Sequence, residues 1–432
     1  MNEGDLAALL REHAVRHSVP GAGIGILRDG AVTTACYGVA DVRSGAPVMA
    51  ATRFSAGSLT KSMVATVVAG LAAEGRLSLD DPVAGHVPEL RASGTAGQWA
   101  SRATLRDLLA NRSGLPLASG TEFGFAGQME QDDRALLRLV AEAATAGPAG
   151  DFWSYTNVGW CVLGRVIETA AAAGWEDAMR SHLLRRAGMA DTAFVTSGTM
   201  EGRVTGHEVG PAGSVPVAPL TTRAYGPAGT TAVTTVADLL RFAALHLAEP
   251  SLAGLRAVHA EVPIYGWLDA WCLGWAQFSW DGGMVWGWDG LINGERSVLR
   301  LVPGQQGAIV LMTNSGTGRA MYRSLFAELM EPLFGIGMPP LRLSPSPGAA
   351  GDLSRFTGRY AWPDRQVDVA ATADGLLVSG EDGQTEALPL SERTFLVDPA
   401  DPDNPTVTFG AFDASGRPGV LYEMLWGLPR VV

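Results

Sequence analysis

Ser58 and Lys61 stand three residues apart in the segment Gly57-Ser58-Leu59-Thr60-Lys61. On a helix that spacing puts both side chains on one face, one turn apart. The run that follows, MVATVVAGLAA, carries no charge, so the helix predicted from Ser58 to Gly75 is apolar almost all round and buried. Burial disfavours an ammonium ion relative to its amine, and an amine beside a serine hydroxyl can take its proton and create a nucleophile. The cation inventory sharpens this reading. Of 32 lysines and arginines, Lys61 is the single lysine and the remaining 31 are arginines. A GC-rich genome accounts for the bias. Arginine, however, keeps its proton at any accessible pH, so the position that stays lysine is a candidate for proton transfer. The plainer alternative makes Ser58 a helix cap and Lys61 a solvated surface cation.

Two other groups could complete a site. Tyr155-Thr156-Asn157 is the only Tyr-x-Asn among seven tyrosines, and it opens a helical pattern over 157–173. A phenol there can pass a proton to a leaving group, and an amide can donate to a substrate carbonyl. Taken alone, the pair also fits ordinary turn hydrogen bonding. Gly287-Trp288-Asp289-Gly290 leads into two apolar runs at 296–313 joined by Pro303-Gly304. Glycine-flanked backbone there allows close approach of a ligand to a main-chain N–H. Trp267, Trp271, Trp275, Trp280, Trp286 and Trp288, six of the 12 tryptophans, fall within 22 residues around this box. They could wall a large, partly apolar substrate, but core packing is the better reading for most. Trp288 is the one expected to face the site.

Positioning these groups requires a sizeable scaffold. The pattern predicts a helix over 3–17, a hairpin turning at Asp29-Gly30, helices over 132–146, 157–173 and 237–247, and a closing helix in MYRSLFAELMEPLFG. Helices with hairpins at both ends give one α/β layer structure of the first 335 or so residues. The Pro- and Gly-rich stretch 339–351 reads as a linker. Beyond it, GRYAW, VDVAAT, LLVSG, TFLVD, TVTFG and VLYEMLW alternate between turn signals, as in a small antiparallel sandwich or barrel.

Composition removes several classes. At 432 residues, 47% hydrophobic, with net charge −12 and no basic run, the chain is globular and has no nucleic-acid footprint. Three scattered cysteines, Cys36, Cys161 and Cys272, give neither a disulfide framework nor a metal motif. His13 and His17 lack the glutamate of a zinc-protease helix and read as surface histidines. There is no G-x-S-x-G elbow, dinucleotide fingerprint or P-loop, so no cofactor and no metal is expected. The acidic start is unlike an export signal, and no run spans a bilayer, which points to a cytoplasmic protein without a membrane partner.

In order and spacing, the three motifs resemble those of the serine β-lactamase and penicillin-binding-protein superfamily, in particular its class C-like branch. NRSGLP at 111–116 and LMTNS at 311–315 resemble that branch's loop before the second motif and its penultimate strand. The resemblance covers residues 3–335. It implies an antiparallel sheet flanked by helices, with an all-helical subdomain, as a catalytic domain over 1–338. The tail is similar to the lipocalin-like domain some members append, here 352–432. Carried over, Ser58 would be the acylated nucleophile, Lys61 its general base and Tyr155 the manager of the leaving-group proton. Asn157 would contact a substrate amide, Trp288, Asp289 and Gly290 would bind substrate, and the backbone N–H groups of Ser58 and Leu291 would form an oxyanion hole.

There is one departure. The third motif normally begins with Lys or His, whereas here it begins with Trp288, as in the Trp-Gly-Gly box of family VIII carboxylesterases. Tryptophan cannot pair with a substrate carboxylate, so β-lactams and cell-wall peptides are less expected as substrates unless Arg296 supplies the charge. The layout is similar to actinobacterial penicillin-binding-protein-type thioesterases and to related transacylases. The expectation is a serine acyl-enzyme catalyst of specialised metabolism. Its donor would be a small-molecule or peptidyl ester, thioester or amide, with a carrier protein as one source, and its acceptor an amine, an alcohol or water. A family VIII-type carboxylesterase, a D-residue peptidase and a non-catalytic binding module are the alternatives.

Overall fold

The computed structural model describes residues 1–91, 94–115, 152–196, 200–211, 213–219, 221–264, 268–341, 343–362, 365–381, 383–399 and 405–431. The helix expected over 132–146 and Trp267 lie outside them. The first helix, α1 (Glu3–Arg16), starts at an Asn2–Asp5 capping box and buries Leu6, Leu10 and Ala14. Strands β1 (Gly21–Arg28) and β2 (Ala31–Gly38) then pair through Asp29-Gly30, both at positive φ, as a tight hairpin requires.

These two strands and six from the second half of the chain make one antiparallel sheet. The later six are β3 (Ala260–Ile264), β4 (Leu268–Trp271), β5 (Ala276–Trp280), β6 (Gly283–Ile292), β7 (Glu295–Val302) and β8 (Gly307–Thr313). The order is β2-β1-β8-β7-β6-β5-β4-β3, so the N-terminal hairpin is held against the last strand by the β1–β8 pairing. One face carries α1 and the closing helix Gly318–Phe334. The other carries α2 (Leu59–Ala73), which follows Ser58, and the helix Val236–Ala248. The helix Asn157–Ala171 packs on α2 and belongs to the helical layer beyond it.

His13 corrects the surface reading given to it. It is buried, and its two ring nitrogens bond Ser324 and Glu328 at 2.8 and 3.0 Å, tying α1 to the closing helix.

After the linker, eight strands from Gly358–Trp362 to Trp426–Val431 close into a barrel. Its core is Phe356, Tyr360, Phe395, Phe409 and their neighbours. Two strands were hidden in the sequence. Gly383–Pro389 is largely exposed and has few β-branched residues. VLYEMLW is two strands, because Met424 adopts φ 51° and turns the chain without Gly or Pro. Both strands stay in the barrel, while Leu425 at the turn between them is buried in the hydrophobic core of the preceding layer structure.

From Leu59 through Val68 every residue of α2 is buried, so its polar side chains must find partners inside. Thr66 Oγ1 bonds Nε2 of fully buried His246, at the end of the helix Val236–Ala248, at 2.9 Å. Burial pushes the His246 pKa from 6.5 to about 3, with Arg256 and Arg186 adding to the effect. The neutral ring is therefore the form that folds. The His246 contribution is fully present above pH 6.5 and is lost as the pH falls towards 3, because the unfolded chain alone takes up the proton. Denaturant titration between pH 6.5 and 4 should show stability falling by up to about 1.4 kcal/mol per pH unit from this residue. His246→Gln, which retains a partner for Thr66, should flatten that part of the slope; an unchanged slope would contradict the assignment.

Candidate active site

Ser58 occupies the N-cap position of α2, yet its side chain makes no capping bond. Its Oγ lies 2.9 Å from Lys61 Nζ instead. Lys61 is fully buried, and its Nζ also donates to Asn157 Oδ1 and to the Ala228 carbonyl, each at 2.7 Å. A solvated surface lysine is thereby excluded. The chemistry of these oxygens differs. A carbonyl oxygen can only accept, whereas a hydroxyl can accept from an ammonium or donate to an amine. Ser58 is therefore the one of the three that can hand Lys61 a proton.

Asn157 opens the helix Asn157–Ala171, whose N-cap Thr156 bonds Gly159 N–H. Its Oδ1 is committed to Lys61, so Asn157 orients the amine in addition to lining the cavity beside Ser58. Tyr155 is buried, and its ring centroid lies 4.9 Å from Lys61 Nζ. Trp271 and Trp288 pack against the same ring, at centroid distances of 5.8 and 5.4 Å. The backbone of this segment is held by the barrel. Tyr155 N–H donates to the Leu425 carbonyl at 3.0 Å, and Gly427 N–H donates to Ser154 Oγ at 3.1 Å.

The third motif arrives on β6. Gly57 (φ 53°) and Gly290 meet backbone to backbone: a Cβ on Gly290 would lie 2.1 Å from the Ala56 carbonyl oxygen, and one on Gly57 would lie 2.9 Å from Leu291 N. This approach sets the Ser58 turn beside Leu291, and both residues border the same cavity. Trp288 does not line that cavity. It is buried behind Tyr155, and its indole N–H, which can only donate, points at the phenol oxygen at 3.1 Å.

Two other substrate-binding expectations need correction. Strand alternation turns Asp289 to the opposite face of the sheet, where its carboxylate pairs with Arg300 at 2.7 Å. Arg296 faces the same way and packs against Gly318 at the start of the closing helix, so it does not supply the missing charge of the motif.

Residues the sequence did not single out hold the frame. Arg300 donates to the Trp288 carbonyl and to Tyr322 Oη, bracing the motif from behind. Burial works against its charge, but Asp289 and Tyr322 outweigh that and raise its pKa. Glu295 accepts from Ser55 N–H at 2.7 Å and Ser55 Oγ at 3.0 Å, and pairs with Arg203, fixing the chain just before Ser58. The readable signal was charge inside an otherwise apolar strand, ERSVLRLV, all of which is buried.

The resulting cavity, about 270 Å³, is bordered by Ser58, Asn157, Glu208, the stretch 222–230 and the β6 end from Leu291 to Gly294. Tyr225 is its one aromatic residue among those described, so none of the described tryptophans lines it. A larger cleft of about 860 Å³, between the sheet edge and the barrel, contains none of the motif residues. Among the described residues no group of three or more His, Cys, Asp or Glu is placed to hold a metal, and no helix is long and apolar enough to cross a membrane.

Comparison with known proteins agrees with this architecture. Residues 6–329 match the β-lactamase family model. The chain is 30% identical over 365 residues to penicillin-binding protein 4 of Amycolatopsis lactamdurans, covering 80% of this chain and 93% of that one. It is similar over 99% of both chains to the crystal structure of SurE, at 27% identity and a TM-score of 0.82. A class C β-lactamase structure shares the fold over 76% of this chain and 97% of its own, at 21% identity and a TM-score of 0.63. The chain belongs to the β-lactamase family, within the superfamily of serine β-lactamases and penicillin-binding proteins.

Proposed function

We propose that this protein is a serine acyl-enzyme catalyst that moves an acyl group from an ester, thioester or amide to an amine, an alcohol or water, with transfer favoured over hydrolysis. The observation that carries the proposal is the 2.9 Å contact between half-buried Ser58, which borders the cavity, and fully buried Lys61. Ser58 Oγ attacks the donor carbonyl while its proton passes to neutral Lys61, giving a tetrahedral oxyanion. The N–H groups of Ser58 and Leu291 receive that oxyanion, a kind of stabilisation effective because the donors are fixed beforehand. The proton then moves from Lys61, by way of Tyr155, to the departing oxygen, sulfur or nitrogen as its bond to carbon breaks. The acceptor enters, gives its proton back along the same route and releases Ser58. The pairing of SurE with D-Leu in a solved structure, at 26% identity to this chain, supports an amine-bearing acceptor. The loss of the motif cation to Trp288 supports substrates other than β-lactams.

Three measurements test this reading. Intact-mass analysis with an activated ester should show one acyl adduct, absent in Ser58→Ala; labelling that persists at another residue would sink the assignment. Lys61→Arg should lower kcat/KM nearly as much as Lys61→Ala, by about 10²–10⁴-fold, because arginine cannot accept the proton. Near-normal turnover in the arginine variant would contradict a base role. Trp288→Phe keeps the ring and deletes the donor to Tyr155, so kcat should fall about ten-fold with little change in KM. A change confined to KM would instead mark Trp288 as a substrate contact.

A further inference from the structure

Glu208 borders the same cavity as Ser58 and is its one charged residue among those described. The other polar groups around it are neutral: Asn157, Thr222, Tyr225, Thr230 and Asn293. Lys61 is occupied by Ser58 and Asn157, and two arginines are turned elsewhere, Arg203 into its buried pair with Glu295 and Arg296 to the far face of the sheet.

The glutamate sits on a fixed base. The preceding residue, His207, is fully buried, and its N–H is shared between the carbonyls of Gly294 and Asn314, each at 3.1 Å. Its ring Nδ1–H donates to the Asn314 carbonyl at 3.0 Å, while Nε2 accepts from Val42 N–H at 3.3 Å. Gly294 lies three residues beyond Leu291, so the backbone that carries the exposed Glu208 is anchored to the turn that follows Leu291. The bare Cα of Gly316 leaves the space it fills, since a Cβ there would be 2.7 Å from Glu208 Oε2. With a carboxylate present and the motif cation replaced by a buried indole, the cavity has the electrostatic sense of a cation site.

Building on the acyl-enzyme reading, we infer that the cavity selects acyl donors bearing a positively charged amino or guanidino group, with Glu208 as the residue that recognises it. A carboxylate-bearing donor meets like charge and is selected against.

Calorimetric titration of the full chain carrying Ser58→Ala reads binding apart from chemistry. The probes are methyl 6-aminohexanoate, methyl hexanoate and monomethyl adipate, which match in length and differ in charge. At low salt the cationic ester should bind about five-fold more tightly than the neutral one, with the anionic ester weakest. The order should compress at 0.5 M salt, where screening is short-ranged. Adding Glu208→Gln should abolish the difference between cationic and neutral esters. Equal affinities in the parent, as expected of a merely solvated hairpin glutamate, or a preference that survives Glu208→Gln, would overturn the inference. Turnover of methyl hexanoate by the unaltered chain reads the acyl-enzyme proposal separately. Turnover without charge preference defeats only the inference, and charge preference without an acyl adduct defeats only the proposal.

Discussion

The site depends on one amine held by three oxygens of unequal chemistry. Two are carbonyl oxygens, from Asn157 and Ala228, and they accept an N–H whether Lys61 carries two hydrogens or three. Only the bond to Ser58 changes direction when the proton moves. The proposed transfer therefore needs no displacement of heavy atoms, and the cost of solvent reorganisation is largely avoided. The same arrangement explains why α2 must be buried all round. A wetter helix would solvate the ammonium and hold it charged, and an unpartnered buried one would be several kcal/mol too costly.

Holding the oxygens demands structure well away from α2. Ala228 is 167 positions from Lys61, and Asn157 is 96. The strand bearing Leu291 is set by the Gly57–Gly290 contact in front and by Arg300 behind. The barrel enters this set as a clamp, because the Met424–Leu425 turn binds the backbone that carries Tyr155. A segment with no strand or helix of its own at 152–155 thereby acquires fixed partners. The C-terminal barrel is thus part of the frame of the site and not an appendage beside it.

How much of this was legible follows from what a sequence can encode. The Ser58–Lys61 contact could be foreseen because helix periodicity fixes their proximity, and the lone lysine among arginines drew attention to it. Tyr155 and Asn157 were visible as a pair, though Asn157's grip on Lys61 was not. The Ala228 carbonyl was invisible, since every residue has one and only the fold aims it. Asp289 and Arg296 differ from expectation for a simpler reason: alternation along β6 and β7 turns each to the face away from Ser58. His13 shows the converse, a polar residue assigned to the surface that tertiary packing buried against Glu328.

Trp288 joins these strands of reasoning. In a site built on lysine chemistry, a second ammonium beside Tyr155 would add positive charge within reach of Lys61 and hold a place for substrate carboxylates. An indole donates one neutral hydrogen bond to the phenol oxygen and brings no charge. Lys61 then has no second ammonium beside it to compete for the proton that Ser58 gives up in the proposed reaction. On the inference drawn above, recognition of charge lies farther out in the cavity, at Glu208. On the proposed reading, an aromatic donor in place of a cation keeps the proton route and leaves the cavity to be read by a carboxylate.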